Sequence, residues 1–554
     1  MNQTRPSRII GALAAALLLL HGTLAWWLRV PGLTSAQDDA RYLLLARALR
    51  HFTYTQIFLV GQPVESLYPP VYPLGLALAG LLPGDPVATG IALNVACSTA
   101  ALGVLFVLVR SWSAELALMV LAVAAVNPML LGVAGTVASE PLFMLLSFLV
   151  LLVMLRPGAT SRQRALAGLL AIAAALTRSL GVALILSLLL VWLYQREWRA
   201  AAWLVLATAL TVGAWLTWTA VAPAQLAGQS YIGDAVLTRP APEPPPAVPQ
   251  VPEVEPQAPP ATSDAAPATT RSPSMVTTLA ARIGSNLPGY GARGIPLALG
   301  LPTLRGTTVD NWFWLIVLGV LGLGGAWSLT RTQPTAVLYL AGYAAILLVW
   351  PYRLGRFLAP VLPLLVMVLL LGAWRLAGRR GGAVALVLPA VLSGVLCVTG
   401  VANDAARWRT LRGCDRGAPY QSAGCYDRRQ LDFFAAVTDL ERRVPMDATL
   451  LMPKAATIYY LTGRRAVSEV QAATLDVPAL DRYLRGQQVG YVLLSRIHFD
   501  QWVIAGTLRG LCRSLELVAS PNPDAVLLHL VPDGTASGEG CAAIDRFVAG
   551  PWRE

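Results

Sequence analysis

The segment DDARYLLLARAL (residues 38–49) is followed closely by GQPVESLYPPVYP (residues 61–73). It comes directly after a hydrophobic run near residues 9–30, which is long enough to cross a bilayer. An acidic pair, Asp38 and Asp39, therefore lies just outside a membrane helix. Ionisable side chains at that depth are costly and commonly functional. The pair is the first candidate for a reactive group.

The composition is that of a protein with many membrane-spanning segments. Of its 554 residues, 56% are hydrophobic and 13% are charged, and the mean hydropathy is +0.58. An ordinary globular domain has fewer apolar and more charged residues. The net charge of +12 would suit nucleic acid, but the basic residues form short clusters between apolar runs, as in the cytoplasmic loops of membrane proteins. We therefore expect membrane lipids, and no nucleic acid, as partners.

Hydrophobic runs of transmembrane length follow one another along residues 1–402. One of them, residues 165–194, has Thr177, Arg178 and Ser179 near its centre, so it predicts two short helices that meet at a polar turn. Counting that run twice gives about eleven transmembrane helices. The runs lie near residues 9–30, 87–109, 115–133, 141–155, 165–194, 200–221, 311–329, 335–351, 357–374 and 382–401.

Basic clusters predict which helix ends face the cytoplasm. The start, MNQTRPSRII, is basic, and the apolar run after it has no clear cleavage site, which predicts a retained signal anchor. With the N-terminus inside, the arginine-rich turns all fall on the cytoplasmic side, as the positive-inside rule requires. The first loop (residues 31–73), the turns at Glu140, Arg178 and Tyr352–Arg356, and everything after residue 402 then face outward.

Two outward segments differ in composition from the rest. Residues 239–273 are rich in proline and poor in bulky apolar side chains, which predicts a disordered or polyproline-type tether. Residues 403–554 have the composition of a soluble α/β domain, with a helix-like stretch at Arg428–Arg443 and short strand-like runs in ATLLMP, YVLLS and AVLLHLV. The chain thus divides into a transmembrane domain, residues 1–402, and an extracytoplasmic α/β domain.

The C-terminal domain holds the cysteines that we expect to form disulfides, namely Cys414, Cys425, Cys512 and Cys541. An even number in an outward domain fits an oxidising compartment. Proximity favours Cys414 with Cys425 and Cys512 with Cys541, although four cysteines allow three connectivities. Metal binding is the weaker alternative, because the sequence has no CxxC motif or nearby histidine pair.

The acidic pair also has a structural interpretation. Ser35 and Asp38 can cap a helix at the membrane surface, and Asp39 is favoured by the helix dipole. The spacing alone does not separate this interpretation from a catalytic one. The YPPVYP segment predicts a rigid re-entry into the membrane or simply a turn, since proline cannot continue a helix.

The order of the motifs resembles the GT-C superfamily of polyprenyl-phosphate-sugar-dependent glycosyltransferases. It is similar to the bacterial branch that contains protein O-mannosyltransferase-like and lipid A aminoarabinose transferase-like enzymes. The resemblance covers residues 9–400, and the tail resembles the extracytoplasmic domain of many members. The motifs are DDARYLLLARAL (38–49), GQPVESLYPPVYPLGLAL (61–78), SEPLFMLLSFLVLL (139–152), LTRSLGVALIL (176–186) and YRLGRFLAPVLPLLVM (352–367).

The resemblance implies a polytopic enzyme of the bacterial cytoplasmic membrane, with its active site on the outer side. It implies Asp38 as the catalytic base, with Asp39 as the other member of the pair and Glu140 as an acid from the next outward loop. The donor would be a polyprenyl-phosphate sugar and the acceptor a lipid, a glycan or a protein. Glu65 and Ser66 stand where such enzymes often have a basic or histidine residue, which leaves the use of a divalent metal ion open.

The chemistry of this transfer needs few protein groups. A phosphate leaving group is already a stable anion, so one carboxylate that deprotonates the acceptor hydroxyl suffices. The phosphate needs cationic partners, and Arg356, Arg353 and Arg178 are the outward candidates. Two of them have structural alternatives, Arg353 as an interfacial residue and Arg178 as a partner of Glu140. Glu140 itself can merely favour a helix dipole. We expect the substrate to be lined by Tyr42, Glu65, Tyr68, Tyr72 and Tyr352.

The competing function is a lipid-linked-sugar flippase or transporter. Such proteins commonly have two similar halves and broken helices near the membrane midplane. The sequence shows no such internal repeat, and its polar candidates gather at one membrane face. A membrane sensor with an outer domain would leave the acidic loop unexplained.

Overall fold

The computed structural model describes residues 4–34, 38–155, 158–221, 275–301, 308–351, 353–377, 384–497, 500–532 and 535–550. The proline-rich segment at residues 239–273, together with Ser35 and Tyr352, lies outside the described residues. The predictions made for them stay predictions.

Most of the chain before residue 412 is helical, because long runs of Leu, Ala and Val carry few charges or helix breakers. The π-helical turns at Ala209–Gly213 and Gly289–Gly294 join helices that continue on either side. The helices are α1 (Thr4–Trp27), α2 (Asp38–Leu49), α3 (Val71–Ala79), α4 (Pro86–Arg110), α5 (Ala114–Ala125), α6 (Pro128–Ala134), α7 (Glu140–Val153), α8 (Ser161–Ala175), α9 (Val182–Tyr194), α10 (Trp198–Thr208), α11 (Ala214–Val221), α12 (Met275–Pro288), α13 (Ile295–Ala298), α14 (Thr308–Leu329), α15 (Pro334–Val349), α16 (Leu362–Ala377) and α17 (Val384–Leu411).

Several of these helices have the length and composition of membrane spans. Five stretches of the described chain qualify by themselves: Arg8–Trp27, Pro86–Arg110, Trp198–Ala220, Trp312–Leu329 and Ala385–Leu411. The shorter apolar helices are Glu140–Val153, Ser179–Tyr194, Pro334–Val349 and Leu362–Ala377. The molecule therefore has the helical architecture of a multi-pass membrane protein, whereas the number of about eleven spans stays a prediction.

The break predicted inside residues 165–194 is confirmed. Helix α8 ends at Ala175, and a short 3-10 turn at Ser179–Gly181 leads into α9. The run predicted as a span at residues 115–133 is not one straight helix, because helices α5 and α6 meet there at an angle of 63°. Asn127 causes the bend by accepting hydrogen bonds from the backbone N–H groups of Met129 and Leu130, and Pro128 cannot continue α5.

The C-terminal layer, which we define as residues 412–550, contains a four-stranded sheet in the order β1-β2-β4-β3. Strand β1 (Thr449–Leu451) pairs in parallel with β2 (Val489–Ser495), and β4 (Ala525–Leu530) is antiparallel to both β2 and β3 (Leu515–Asn522). Three strands match the strand-like runs of the sequence, and β3 was not predicted. The helices of the layer are α18 (Arg428–Arg443), α19 (Ala455–Thr462), α20 (Glu469–Ala472), α21 (Val477–Gly486), α22 (Asp500–Leu508) and α23 (Glu539–Ala549).

The C-terminal layer packs directly on the first loop. The backbone of Ala466 donates to the carbonyl of Phe58 at 3.0 Å and accepts from the amide of Val60 at 2.9 Å. The hydroxyl of Tyr426 donates to the carbonyl of Leu33 at 2.6 Å. Buried apolar side chains of both segments form one core. The first loop is thus held between the helical bundle and the C-terminal layer.

Both cysteine pairings proposed from proximity are confirmed. Cys414 is bonded to Cys425, and Cys512 is bonded to Cys541. The first bond closes a short segment where the chain leaves α17, and the second joins the segment before β3 to α23. Both bonds lie in the C-terminal layer.

Candidate active site

Charged residues from four distant parts of the sequence meet at one end of the helical bundle. Asp38 is the first residue of α2 and Glu140 the first residue of α7. Arg178 precedes the 3-10 turn before α9, and Arg356 lies in a 3-10 turn before α16. A polar residue at a helix start or in the turn before it stays at the end of an apolar span. This is why residues so far apart in sequence reach the same level.

Asp38 is held by two side-chain donors. The hydroxyl of Tyr68 donates to its Oδ1 at 2.5 Å, and Nη2 of Arg356 donates to its Oδ2. The side chain of Asp38 is 20% exposed and that of Arg356 is 37% exposed, so this pair is accessible to solvent.

The electrostatic surroundings favour the ionised form of Asp38. Burial by itself would raise the pKa of the carboxyl group. The charge of Arg356 and the hydrogen bonds from Tyr68 and Arg356 outweigh burial, and Lys454 contributes in the same direction. The net result is a pKa below the ordinary value of 3.8. Asp38 is therefore a carboxylate at neutral pH.

Asp39 faces a different environment. Its Oδ1 accepts from the backbone N–H of Ala40 at 2.8 Å, and its Oδ2 accepts from the backbone N–H of Thr34. The residue is buried, and burial raises the pKa of its carboxyl group to about 6. Its hydrogen bonds therefore fasten the chain that enters α2, whereas those of Asp38 point to side chains of the charged cluster.

Glu140 connects the two arginines of the cluster. Its Oε1 lies 2.8 Å from Nη1 of Arg178 and 3.9 Å from Nε of Arg356. Nη1 of Arg178 also donates to Oγ of Ser139 at 2.8 Å, and the hydroxyl of Tyr42 donates to the same Oγ at 2.9 Å. The pairing of Arg178 with Glu140 was the structural alternative for Arg178. Ser139 was not predicted, since a serine before a helix-starting acid usually signals only a cap.

Glu65, expected to line the substrate, is instead fully buried beside an arginine that the sequence did not single out. Nε and Nη2 of Arg41 donate to its two carboxylate oxygens at 2.9 and 2.8 Å. The backbone amides of Leu67 and Tyr68 also donate to Glu65, at 2.8 and 3.2 Å. The guanidinium of Arg41 lies 4.5 Å from the ring centroid of Tyr68. This buried pair thus positions the tyrosine that bonds Asp38.

Three of the predicted tyrosines form one aromatic cluster. The ring of Tyr42 meets those of Tyr68 and Tyr72 edge to face, with centroids 4.9 and 4.8 Å apart. The hydroxyl of Tyr72 donates to Oδ1 of Asn94 at 3.1 Å. Tyr68 bonds Asp38 and Tyr42 bonds Ser139, so the aromatic cluster packs against the charged cluster. Two of its three rings, Tyr68 and Tyr72, come from the YPPVYP segment.

Arg353 lies apart from the cluster. It is exposed, and its Nη1 donates to the backbone carbonyl of Ser285 on α12 at 3.3 Å. Of the three arginines proposed for phosphate, the structure brings Arg356 and Arg178 to the acids and leaves Arg353 exposed beside α12.

The described acids do not fit a metal centre. Among the residues in the described ranges, no group of three or more His, Cys, Asp or Glu side chains is arranged to hold a metal ion. Each acid of the site instead has its own arginine: Asp38 has Arg356, Glu140 has Arg178, and Glu65 has Arg41. Each of these three carboxylates therefore already has a cationic partner.

Solved structures of very different sequence share this fold. ArnT from Cupriavidus metallidurans in the apo state matches with a TM-score of 0.51 and 15% identity, over 95% of this chain and 98% of that chain. ArnT from the same organism bound to undecaprenyl phosphate gives 0.50 and 14%, over 96% and 99%. The oligosaccharyltransferase of Archaeoglobus fulgidus in complex with Zn and sulfate gives 0.50 and 11%, over 90% and 71%.

No protein-family model matches the sequence, and neither does any curated protein. Identities of 11–15% show a common fold and nothing finer. ArnT and the oligosaccharyltransferase are members of the GT-C superfamily. This chain therefore has the GT-C fold, as the resemblance of its motifs predicted.

Proposed function

We propose that the protein is an inverting glycosyltransferase that takes a sugar from a polyprenyl-phosphate donor at the outer face of the cytoplasmic membrane. The observation that carries the proposal is the Asp38–Arg356 pair. A carboxylate that serves as a base and a guanidinium suited to phosphate lie side by side, partly exposed, at one end of an apolar helical bundle.

Both members of the pair can change partners when the donor binds. The donor's phosphate competes with Asp38 for the guanidinium of Arg356, because both anions suit the same donor fork. Loss of that contact makes Asp38 more basic, since the charge of Arg356 is what lowers its pKa most. Binding of the donor therefore prepares the base at the moment when the acceptor needs it.

The transfer itself is balanced without a further reactant. Asp38 takes the proton of the acceptor hydroxyl, whose oxygen bonds to the anomeric carbon of the sugar. The bond from that carbon to the phosphate oxygen breaks, and polyprenyl phosphate leaves with the bonding electrons. Attack from the side opposite to the phosphate inverts the anomeric centre. Arg356 and Arg178 stabilise the charge on the leaving phosphate.

Two independent facts support the lipid-phosphate donor and the outward side. The ArnT structure with this fold was determined bound to undecaprenyl phosphate, and its chain is covered almost completely. The two disulfides of the C-terminal layer suit an oxidising compartment, and the layer packs against the loop that carries Asp38.

The test supplies purified protein with an undecaprenyl-phosphate-linked sugar and with lipid, glycan and peptide acceptors, and identifies the product by mass spectrometry. We expect an acceptor that gains the mass of one sugar, together with released undecaprenyl phosphate. Transfer only from a soluble nucleotide sugar would contradict the donor. In sealed vesicles, movement of the lipid-linked sugar across the bilayer without transfer would establish the alternative, a flippase.

A further inference from the structure

Lys454 is the only lysine of the sequence, so the other 41 of the 42 basic residues are arginines. It lies in the C-terminal layer, between strand β1 and helix α19. The sequence does not predict that it lies near Asp38, because the two residues are 416 positions apart, as the difference of their numbers gives. Its backbone and its surroundings set it apart.

The backbone of Lys454 is in the left-handed region, with φ 50° and ψ 45°. Residues other than glycine rarely adopt this backbone conformation, and those that do are often found at functional sites. Here the conformation makes the sharp turn from β1 into α19. The lysine therefore projects from a fixed corner of the layer.

That corner faces the helix that begins with Asp38. Ala455, Ala456 and Ile458 of α19 are buried in the same core as Ala40 and Leu44 of α2. This packing fixes the distance between the two helices. Lys454 is half-buried and close enough to Asp38 for its charge to act on that carboxylate.

Lys454 is not paired with any of the described acids of the site. Within the ranges that the structure describes, Asp38, Glu65 and Glu140 have arginine partners, and backbone amides satisfy Asp39. No salt bridge or side-chain hydrogen bond joins Lys454 to any of these described residues. A half-buried ammonium without a fixed anion is a favourable partner for an anion that arrives with the substrate.

We infer that Lys454 binds the phosphate of the donor, as the contribution of the C-terminal layer to the active site. The inference rests on the proposed function, because it takes the polyprenyl-phosphate group as the arriving anion. The phosphate lies between Arg356, from the bundle, and Lys454, from the layer. The layer then completes the site as well as covering the first loop.

The test compares wild type with Lys454→Asn, which removes the charge and tolerates the left-handed conformation. We expect the affinity for undecaprenyl phosphate in detergent to fall about 10- to 100-fold, with a similar rise in KM for the donor and a smaller change in kcat. Undecaprenol, which lacks the phosphate, is the ligand control and should bind both proteins equally. Lys454→Arg should recover most of the lost affinity.

Two further variants separate the effect of charge from an effect on folding. Lys454→Gly suits the same backbone and should lose affinity as Lys454→Asn does. Arg465→Gln removes an exposed charge from the same layer and should bind undecaprenyl phosphate like wild type. Unchanged affinity in Lys454→Asn and Lys454→Gly, with wild type still transferring sugar, would overturn the role of Lys454 alone. Wild type that neither transfers sugar nor binds undecaprenyl phosphate would overturn the proposed function as well.

Discussion

At the scale of single residues, Asp38 and Arg356 form an ion pair in the free protein, and the proposed mechanism requires that they separate. The pKa of Asp38 lies below the ordinary value of 3.8 because Arg356 and Tyr68 together outweigh the effect of burial. A base of this kind is ionised throughout the physiological range. Its strength is then set by where the guanidinium of Arg356 lies.

Arg356→Ala should move the acid limb of the pH profile upward. Without Arg356 burial still disfavours the carboxylate, so the pKa of Asp38 rises. Activity needs the ionised form and is lost as pH falls through that pKa. In wild type we expect the decline of kcat/KM for the donor to lie below the ordinary pKa of an aspartate, 3.8. In Arg356→Ala the decline should begin at higher pH, and KM for the donor should rise.

Arg353→Ala is the matched control for this experiment. Arg353 carries the same charge three residues earlier in the chain but bonds the carbonyl of Ser285 instead of an acid. The acid limb of the pH profile of Arg353→Ala should coincide with that of wild type. Equal displacement in both variants, or in neither, would contradict the coupling of Arg356 to Asp38.

The residues of the charged cluster that could be predicted from the sequence are those that lie at the end of an apolar run. Asp38, Glu140, Arg178 and Arg356 are all charged residues beside apolar runs, and their cost at that position signals a role. Arg41 and Ser139 gave no such signal. Their partners are decided by the packing of α2 against the YPPVYP segment and α7, which spacing along the chain does not specify.

At the scale of elements, the first loop is held in shape by the buried Arg41–Glu65 pair. Their side chains are 6% and 0% exposed. Removing one partner of such a pair leaves a buried charge uncompensated and costs about 3–5 kcal/mol. Replacing both by apolar residues removes the charge together with its partner and costs less.

Arg41→Met and Glu65→Leu should therefore each lower stability more than the double variant does. The measurement is thermal unfolding of the purified proteins in detergent, read as a double-mutant cycle. Activity should fall in all three variants, because Tyr68 loses the contacts that position it against Asp38. If the losses of stability in the two single variants add up to the loss in the double variant, the two charges do not stabilise each other.

The elements that were predicted well are those with one strong local signal. The polar turn at Arg178 broke a long apolar run, and the amphipathic pattern at Arg428–Arg443 matches α18 at both ends. The bend between α5 and α6 was missed although Asn127 and Pro128 carry a capping signal, because the run around them is continuously apolar. Strand β3 was missed because only part of LELVASPN alternates as a half-buried strand does.

At the scale of the whole molecule, the proposed function requires every group of the site to lie on the outer side of the membrane. A cysteine in place of the exposed Glu441 should react with a membrane-impermeant thiol reagent in intact cells whose outer membrane, where present, is permeabilised. A cysteine in place of the exposed Arg162 should react only after the inner membrane is opened. The background protein carries Cys97→Ala and Cys397→Ala, since these are the free cysteines of the described chain. Labelling in the reverse order would overturn the outward site.

The contact between the C-terminal layer and the first loop could not be predicted from sequence. The composition change after residue 402 indicated a second unit, but the hydrogen bonds of Ala466 to Phe58 and Val60 join segments about 400 residues apart. No local pattern specifies such a pairing. The same contact places Lys454 near Asp38, which is why that lysine emerged only from the structure.

The most direct test of the account is single-turnover transfer from an undecaprenyl-phosphate-linked sugar by Asp38→Asn and Asp39→Asn, each compared with wild type. Asp38→Asn keeps the shape of the side chain but removes the base, so the rate should fall by about 10²- to 10⁴-fold while undecaprenyl phosphate still binds. Asp39→Asn should keep far more of the rate, because Asp39 bonds the backbone amides of Thr34 and Ala40 and the side chain of Thr34 instead of an arginine of the charged cluster. A wild-type rate in Asp38→Asn, with the loss in Asp39→Asn instead, would contradict the assignment of the base and the mechanism built on it.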